Sequence, residues 1–310
     1  MDVIIPTRNS APVLEPCLLS LSKQTNPVHV IIVDANSSDE TKDIAKAFGC
    51  TILEEPKTNF KGSKRAVACN EGLRHVTSEF VGFLDSDTVI PETWAEEMEN
   101  LMEIYRSPVV DPKTTQFIPV AAITSGCEPD TSTSLSRAKS NVMKIASNHS
   151  RKYTNTVYVN SVPGYNAVYK ADAIRKVGGF SEEIGGCEDW ELNNRLRNAG
   201  YCLLGVPAVP VVHKERVTYK AFQKQMNGYG WSWGRLLRVK HIFKLSRAIP
   251  SIALILLLIL APIIFYMFPA LGIIGISSYI LILELLPEET VAFTIMQLSL
   301  AIGYLRGLFF

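Results

Sequence analysis

Two pairs of carboxylates stand out by their spacing. Asp85 and Asp87 lie at i and i+2, just past the apolar run Phe80-Val81-Gly82-Phe83-Leu84. In a loop leaving a buried strand, two such carboxylates can jointly approach a hard divalent cation, and that cation can neutralise a diphosphate leaving group. Aspartates also serve turns and caps, so Asp85-Ser86-Asp87 gains meaning only from its surroundings. The second pair, Glu188-Asp189, opens an amphipathic stretch running to Ala199. An acid in the first turn of a helix is kept ionised by the helix dipole, although the same position suits a plain cap. Two further residues end apolar runs. Asp34 follows His29-Val30-Ile31-Ile32-Val33, and His213 follows 209–212. A histidine at a strand end is either structural or, as neutral imidazole, a metal ligand.

The elements that must position these residues are legible from hydrophobic periodicity. Val3-Ile4-Ile5 runs into Pro6 and polar Thr7-Arg8-Asn9, the pattern of a buried strand entering a loop. Leucines at mixed three- and four-residue spacing predict a helix over 11–24. Strand 29–34 follows, then a helix through Phe48 capped by Ser38 or Asp39, strand 51–53, a helix over 62–76 and strand 80–84. Strands alternating with helices predict an α/β fold on a mostly parallel sheet, in which ligands gather at the carboxyl ends of strands. Asp34 and the Asp85/Asp87 pair both fall at such ends. Farther on, a strand is expected at 120–123, weak helical patterning at 131–150, a strand at 166–169 and a helix over 171–177 stopped by Gly178-Gly179. The segment 108–165 reads as acceptor-side structure. Gly200 is the expected C-cap of the helix beginning at Glu188. Pro207 and Pro210 predict edge positions for strands 203–206 and 209–212.

A net charge of +1 over 310 residues argues against a nucleic-acid binder relying on a broad basic field. Six cysteines without a CxxC pair read as reduced thiols. From 249 onward the chain is almost continuously apolar, and Arg235, Arg238, Lys240, Lys244 and Arg247 precede this stretch. A transmembrane helix is therefore expected at 249–268 with its N-terminal end on the cytosolic side. Further apolar runs cover 269–286 and 291–310, parted by Pro287-Glu288-Glu289. Arg306 leaves the last run open to an interfacial or helix-packed role, so two or three spans are expected. The chain opens on a strand with no basic n-region, which predicts a cytosolic site-bearing domain; with the apolar runs, the expectation is an integral membrane protein. The expected plan is a domain over 1–235, a basic juxtamembrane segment over 236–248 and a membrane region over 249–310.

Five blocks together carry a resemblance: Val3-Ile4-Ile5-Pro6-Thr7-Arg8-Asn9, Val33-Asp34-Ala35-Asn36-Ser37-Ser38-Asp39-Glu40-Thr41, Phe83-Leu84-Asp85-Ser86-Asp87, Gly178-Gly179-Phe180 and Glu188-Asp189. In this order, across roughly 1–235, they resemble family 2 glycosyltransferases of the GT-A fold. The resemblance implies an inverting transfer from a nucleotide-diphosphate sugar, with Mn2+ or Mg2+ at Asp85 and Asp87. It assigns Pro6, Thr7 and Asn9 to the loop beneath the nucleotide and Asp34 to the base. A carboxylate there accepts from a ring N–H, which favours UDP-, GDP- or dTDP-sugars over cytidine donors, unless Asp34 only caps its loop. Arg65 matches a basic position near the nucleotide, with Lys64 beside it as an alternative phosphate contact. Asp85 contacts the donor as well as the metal. Asp189 is assigned the base that takes the acceptor hydroxyl proton, with Glu188 orienting it or touching the acceptor. His213 is a candidate to complete the metal shell.

Gly228-Tyr229-Gly230 with Trp231, Trp233 and Arg235 resembles the family's glycine-containing segment after the catalytic domain, covering the diphosphate or lying at a membrane interface. Gln225-Met226-Asn227-Gly228-Tyr229 does not match the QxxRW sequence of processive synthases, which predicts a single addition. The favoured acceptor is a polyprenyl phosphate, a lipid-linked oligosaccharide or a glycolipid, because membrane helices confine enzyme and lipid acceptor to one surface. The alternatives are a soluble or protein acceptor, and a non-catalytic nucleotide-sugar-binding scaffold. A scaffold has no need of Asp189. A nucleotidyltransferase would carry a Gly-rich phosphate loop, and Thr7-Arg8-Asn9-Ser10 is not one.

Overall fold

The computed structural model describes residues 1–58, 63–111, 114–129, 133, 136–138, 153–214, 218–241, 249, 252, 256, 260 and 288–309. The chain divides into two compact units. The first comprises Met1–Pro129, Asn148–Glu183 and Glu188–Lys214, and the second Asp130–Ser147, Ile184–Cys187 and Glu215–Phe310.

In the first unit, four parallel strands form one half of an eight-stranded sheet: β1 (Asp2–Thr7), β2 (His29–Asp34), β3 (Thr51–Glu54) and β4 (Phe80–Leu84). The continuous apolar runs arise because β1, β2 and β4 are covered on both faces, and Val3, Ile4, Ile5, Ile31, Ile32 and Val81 are fully buried. The covering helices are α1 (Ala11–Ser22), α2 (Thr41–Ala47) and α3 (Lys64–Arg74). Gly72 lets α3 approach β1 closely, since a Cβ there would lie 2.7 Å from Ile4 Cγ2. Ser63 caps α3, its hydroxyl accepting from Ala66 N at 3.1 Å. Neither expected residue is the N-cap of α2, which begins after Glu40; Asp39 instead accepts from Thr41 N at 3.2 Å and Ala11 N at 3.1 Å.

After β4 come β5 (Thr88–Val89), α4 (Trp94–Ile104), β6 (Val109–Val110), β7 (Phe117–Ile118), β8 (Val120–Thr124), β9 (Cys127–Pro129), β10 (Val157–Tyr158) and β11 (Asn166–Lys170). They are followed by α5 (Ala171–Lys176), α6 (Glu188–Asn198), β12 (Cys202–Gly205) and β13 (Val211–His213). The large sheet has the order β10-β12-β8-β11-β4-β1-β2-β3. It is mixed, because β11 pairs antiparallel with both β4 and β8. That reversal sets Asn166 opposite Leu84, so the residues entering β11 arrive beside the end of β4.

Strand β13 departs from the expected edge position. It is the middle strand of a three-stranded sheet, between β5 and β9. Pro210 does not forbid this, because it precedes the paired residues instead of interrupting them. Strand β12 lies one in from the edge of the large sheet, between β8 and the two-residue edge strand β10. Gly200 adopts φ +87° just past α6, as its C-cap role requires.

In the second unit, the long helices α7 (Tyr219–Lys240) and α8 (Glu288–Phe309) pack together. Gly228-Tyr229-Gly230 thus belongs to a helix, and α7 runs unbroken through residue 235, where a domain boundary was expected. Gly230 and Gly234 meet the α8 backbone at Leu300 and Tyr304, while Gly303 and Gly307 meet the α7 backbone at Asn227 and Trp231. These reciprocal four-residue glycine spacings let the two backbones touch, a packing mode frequent between membrane helices. The run 291–310 falls on α8. Among the described residues, no helix is long and apolar enough to cross a membrane. The runs expected at 249–268 and 269–286 lie outside the described residues apart from four isolated positions, as does most of 131–150.

A bulky side chain at Gly234 cannot enter this contact without parting the helices. Gly234→Leu is expected to destabilise the pair by about 1–3 kcal/mol. Hydrogen exchange reads this directly, through faster exchange in both α7 and α8; unchanged protection in α8 would sink the reciprocal packing.

Candidate active site

The loops leaving β1 and β2 are tied to one another through Asp34. The parallel register aligns Thr7 with Asp34. Asp34 is fully buried, and its Oδ1 accepts from Thr7 Oγ1 at 3.0 Å and from Ser37 Oγ at 2.5 Å. Its Oδ2 accepts from Ser37 N at 2.8 Å, with Lys42 Nζ 3.8 Å away. Asn9 has φ +48° and joins the same loops: its N–H donates to Ser37 Oγ at 2.8 Å, and its Oδ1 accepts from Ser38 N at 2.9 Å. Pro6 lies half-buried next to the last residue of β1. Asp34 therefore braces the two loops, the capping role weighed for it; Oδ1 accepts two bonds and Oδ2 one, which leaves a lone pair on Oδ2.

Asp85, Asp87 and His213 converge although 126 residues separate the aspartate at 87 from the histidine. The antiparallel pairing of β13 with β5 accounts for this by placing His213 opposite Thr88. One ligand atom from each of the three lies within 4.8 Å of the others. His213 Nε2 is 3.2 Å from Asp87 Oδ1 and 3.6 Å from Asp85 Oδ2. The nearer contact lacks hydrogen-bond geometry, so Asp87 Oδ1 is a buried oxygen without a hydrogen-bond partner among the described residues. A buried carboxylate oxygen left in this state fits a site that receives a cation. Tyr165 stacks on the His213 ring, with centroids 4.4 Å apart and planes 10° apart, and so fixes the imidazole plane.

Electrostatics follow the same geometry. Burial opposes ionisation of Asp85, but Arg65 and His213 outweigh it and hold the carboxyl well below the usual carboxylate range. Burial likewise disfavours the charged form of His213, yet Asp85 and Asp87 raise its pKa to about 10. Without a metal, a protonated imidazole supplies positive charge between the two acids.

Arg65, in the first turn of α3, connects this cluster to the second carboxylate pair. Its Nε and Nη2 donate to Asp85 Oδ1 at 3.1 and 2.8 Å, and its Nη1 donates to Glu188 Oε1 at 3.2 Å. Its Nη2 also donates to the Gly164 carbonyl at 2.8 Å. The Gly164 N–H in turn donates to Asp189 Oδ2 at 3.1 Å, while Asp189 Oδ1 accepts from Trp190 N at 2.6 Å. Asp189 is half-buried. Glu188 is 3% exposed, and its Oε2 has no hydrogen-bond partner among the described residues. Burial drives the Glu188 carboxyl upward to about 7, against the pull of Arg65 and with help from Asp189.

Each expected site residue of the first unit thus lies at the carboxyl ends of β1, β2 and β4 or on the elements just described. Sequence reasoning missed Gly164 and Tyr165. The Pro163-Gly164 dipeptide was a turn signal, but nothing local marked its partners. Asn70 also has a specific structural task. Its Nδ2 donates to the Phe180 carbonyl and Glu182 Oε1, both at 2.9 Å, and its Oδ1 accepts from Phe180 N at 2.8 Å. It thereby anchors the turn at Gly178 and Gly179, whose φ values are +86° and +75°.

The chain is similar to known proteins in sequence and in fold. The succinoglycan biosynthesis protein ExoA of Rhizobium meliloti (strain 1021) is 25% identical over 272 residues, which cover 85% of this chain and 76% of that protein. The pre-mycofactocin glycosyltransferase of Mycobacterium tuberculosis (strain ATCC 25618 / H37Rv) is 30% identical over 243 residues. That match covers 78% of this chain but 48% of the relative, so the chain spans about half of that protein's length. Among solved structures, the mannosyltransferase PcManGT from Pyrobaculum calidifontis, in complex with GDP-Man and Mn2+, shares the fold with a TM-score of 0.67. It is 21% identical, over 99% of this chain and 86% of that one. Residues 2–175 match the family described as Glycosyl transferase family 2. With a mixed central sheet and a GT-A-like α/β fold, the chain belongs to glycosyltransferase family 2.

Proposed function

We propose that this glycosyltransferase moves one sugar, with inversion, from a nucleotide-diphosphate donor to a lipid-linked acceptor at the cytosolic face of a membrane. The observation that carries the reading is the convergence of Asp85, Asp87 and His213 at the end of β4, linked through Arg65 and Gly164 to Asp189. Two carboxylates and an imidazole, with a buried oxygen lacking a partner, suit Mn2+ or Mg2+. When bound, the metal supplies positive charge to the donor diphosphate. Pro6, Thr7, Asn9 and Asp34 form the nucleotide floor, and UDP-, GDP- or dTDP-sugars offer the ring N–H that Asp34 can accept. Lys64 and Arg65 bring positive charge to the phosphate side. Asp189 takes the proton of the acceptor hydroxyl, and Glu188 steadies Arg65 beside it.

The metal and donor assignments are supported by the likeness in fold to a mannosyltransferase bound to GDP-Man and Mn2+. The membrane assignment is supported by the apolar runs 249–268 and 269–286 and the cationic residues before them. In this reading, the catalytic domain is followed by a basic juxtamembrane segment and a membrane region. The test supplies detergent-purified protein with UDP-, GDP- and dTDP-sugars, Mn2+ and total membrane lipid. Labelled sugar in the lipid fraction is the expected result. Transfer only to water-soluble or protein acceptors would replace the lipid assignment, and donor binding without turnover on any acceptor would favour a scaffold.

A further inference from the structure

The hydrogen bonds of Arg65 point inward, to three protein groups. Asp85 Oδ1 takes two of its N–H bonds, Glu188 Oε1 takes one, and the Gly164 carbonyl takes another. Burial would favour loss of its charge, but Asp85 and the neighbouring acids hold it firmly in the charged form. A guanidinium so engaged has a fixed orientation, because its planar fork satisfies several acceptors simultaneously. Gly164 stands on both sides of the connection: its carbonyl accepts from Arg65, and its N–H donates to Asp189. A Cβ at Gly164 would lie 2.8 Å from both Nη1 and Nη2, so a larger residue there displaces the guanidinium from its present position.

We propose that Arg65 is a positioning residue that couples the metal carboxylate to the catalytic base, through the chain Asp85–Arg65–Gly164–Asp189. This rests on the reading of Asp85 as a metal ligand and Asp189 as the base. Arg65 holds Asp85 Oδ1, leaving Oδ2 turned toward His213 at 3.6 Å. The same guanidinium holds the Gly164 segment, whose N–H orients Asp189. A change that shifts the guanidinium disturbs both ends together, although the hydrogen bonds of Gly164 go to Arg65 and Asp189 and not to a metal ligand. Coupling between two sites is reciprocal, so metal binding and base geometry stabilise one another.

Two variants separate this role from electrostatics, because both retain the positive charge. Gly164→Ala displaces the guanidinium, and Arg65→Lys removes its fork. Mn2+ binding is read by electron paramagnetic resonance on the full-length protein, alongside kcat and donor KM at saturating Mn2+. The expected result is Mn2+ affinity weakened about five-fold or more in each variant, with a fall in kcat larger than the change in donor KM. Melting curves identify any variant that does not fold, and the other then decides. Mn2+ affinity within two-fold of wild type in a folded variant would overturn the coupling, as would a change confined to donor KM, which is the signature of a nucleotide contact. If wild-type protein binds no Mn2+, the metal reading fails and the coupling falls with it; that outcome is distinct from normal wild-type binding with unaffected variants.

Discussion

Asp189→Asn should lower kcat by about 10³-fold while leaving donor binding within a few-fold of wild type. The loss arises because an amide cannot take the acceptor proton. The substitution is also close to isosteric, although an amide nitrogen has to face either the Gly164 or the Trp190 N–H, where both carboxylate oxygens now accept. Donor binding measured by calorimetry separates a lost base from a collapsed site. A variant retaining more than a tenth of wild-type turnover would remove Asp189 from the role. Glu188 adds a pH signature. Its folded pKa is raised to about 7, chiefly by burial. As pH rises through that value the group ionises and pairs fully with Arg65, so turnover is expected to rise across a limb centred near 7. Glu188→Gln should flatten this limb. The linkage to stability has the opposite sign: a raised carboxyl pKa favours the folded state at low pH, and the advantage is lost as pH climbs through about 7.

Asp87→Asn is expected to weaken Mn2+ binding by about 100-fold and to reduce turnover correspondingly at limiting metal. The reason lies in Asp87 Oδ1, buried, 3.2 Å from His213 Nε2 and without a hydrogen-bond partner among the described residues. No hydrogen bond among the described residues has to be broken for this oxygen to meet a cation, whereas an amide nitrogen or a single neutral oxygen is a far poorer ligand. His213 makes the binding pH-dependent. The acids raise its pKa to about 10 in the metal-free protein, so a metal using this imidazole must displace a proton. Mn2+ affinity should therefore rise about ten-fold per pH unit below that value, with about one proton released per metal. Calorimetry in buffers of different ionisation enthalpy measures that count. Turnover unaffected by EDTA would require withdrawal of the metal role of Asp85 and Asp87.

The parallel half of the fold was readable because buried parallel strands leave an unmistakable trace. Val3-Ile4-Ile5, Val30-Ile31-Ile32-Val33 and Phe80-Val81-Gly82-Phe83-Leu84 are near-continuous apolar runs, each followed by a polar loop. The other half was less legible. Strand β11 enters antiparallel after a long excursion, and strand direction has no local signature in residue type. For β13, proline was weighed as though it lay within the paired residues, whereas pairing starts after it. Glycine disfavours helix, yet at Gly230 and Gly234 the close approach of α8 offsets that preference.

By itself the sequence determined the chemical inventory: acids at the ends of buried strands, an acid pair opening a helix, and a histidine after a late strand. Residue type and local periodicity encode such features. Tertiary structure decided how they are connected. Pairing of β13 with β5 carried His213 to Asp87, and the reversal at β11 delivered Gly164 to Arg65. The Asp85-Ser86-Asp87 triplet and Asp189 lie about a hundred residues apart in the chain and are joined by one guanidinium and one glycine. Such contacts depend on strand order and on the space left by an absent side chain, and neither is written in the residues nearby.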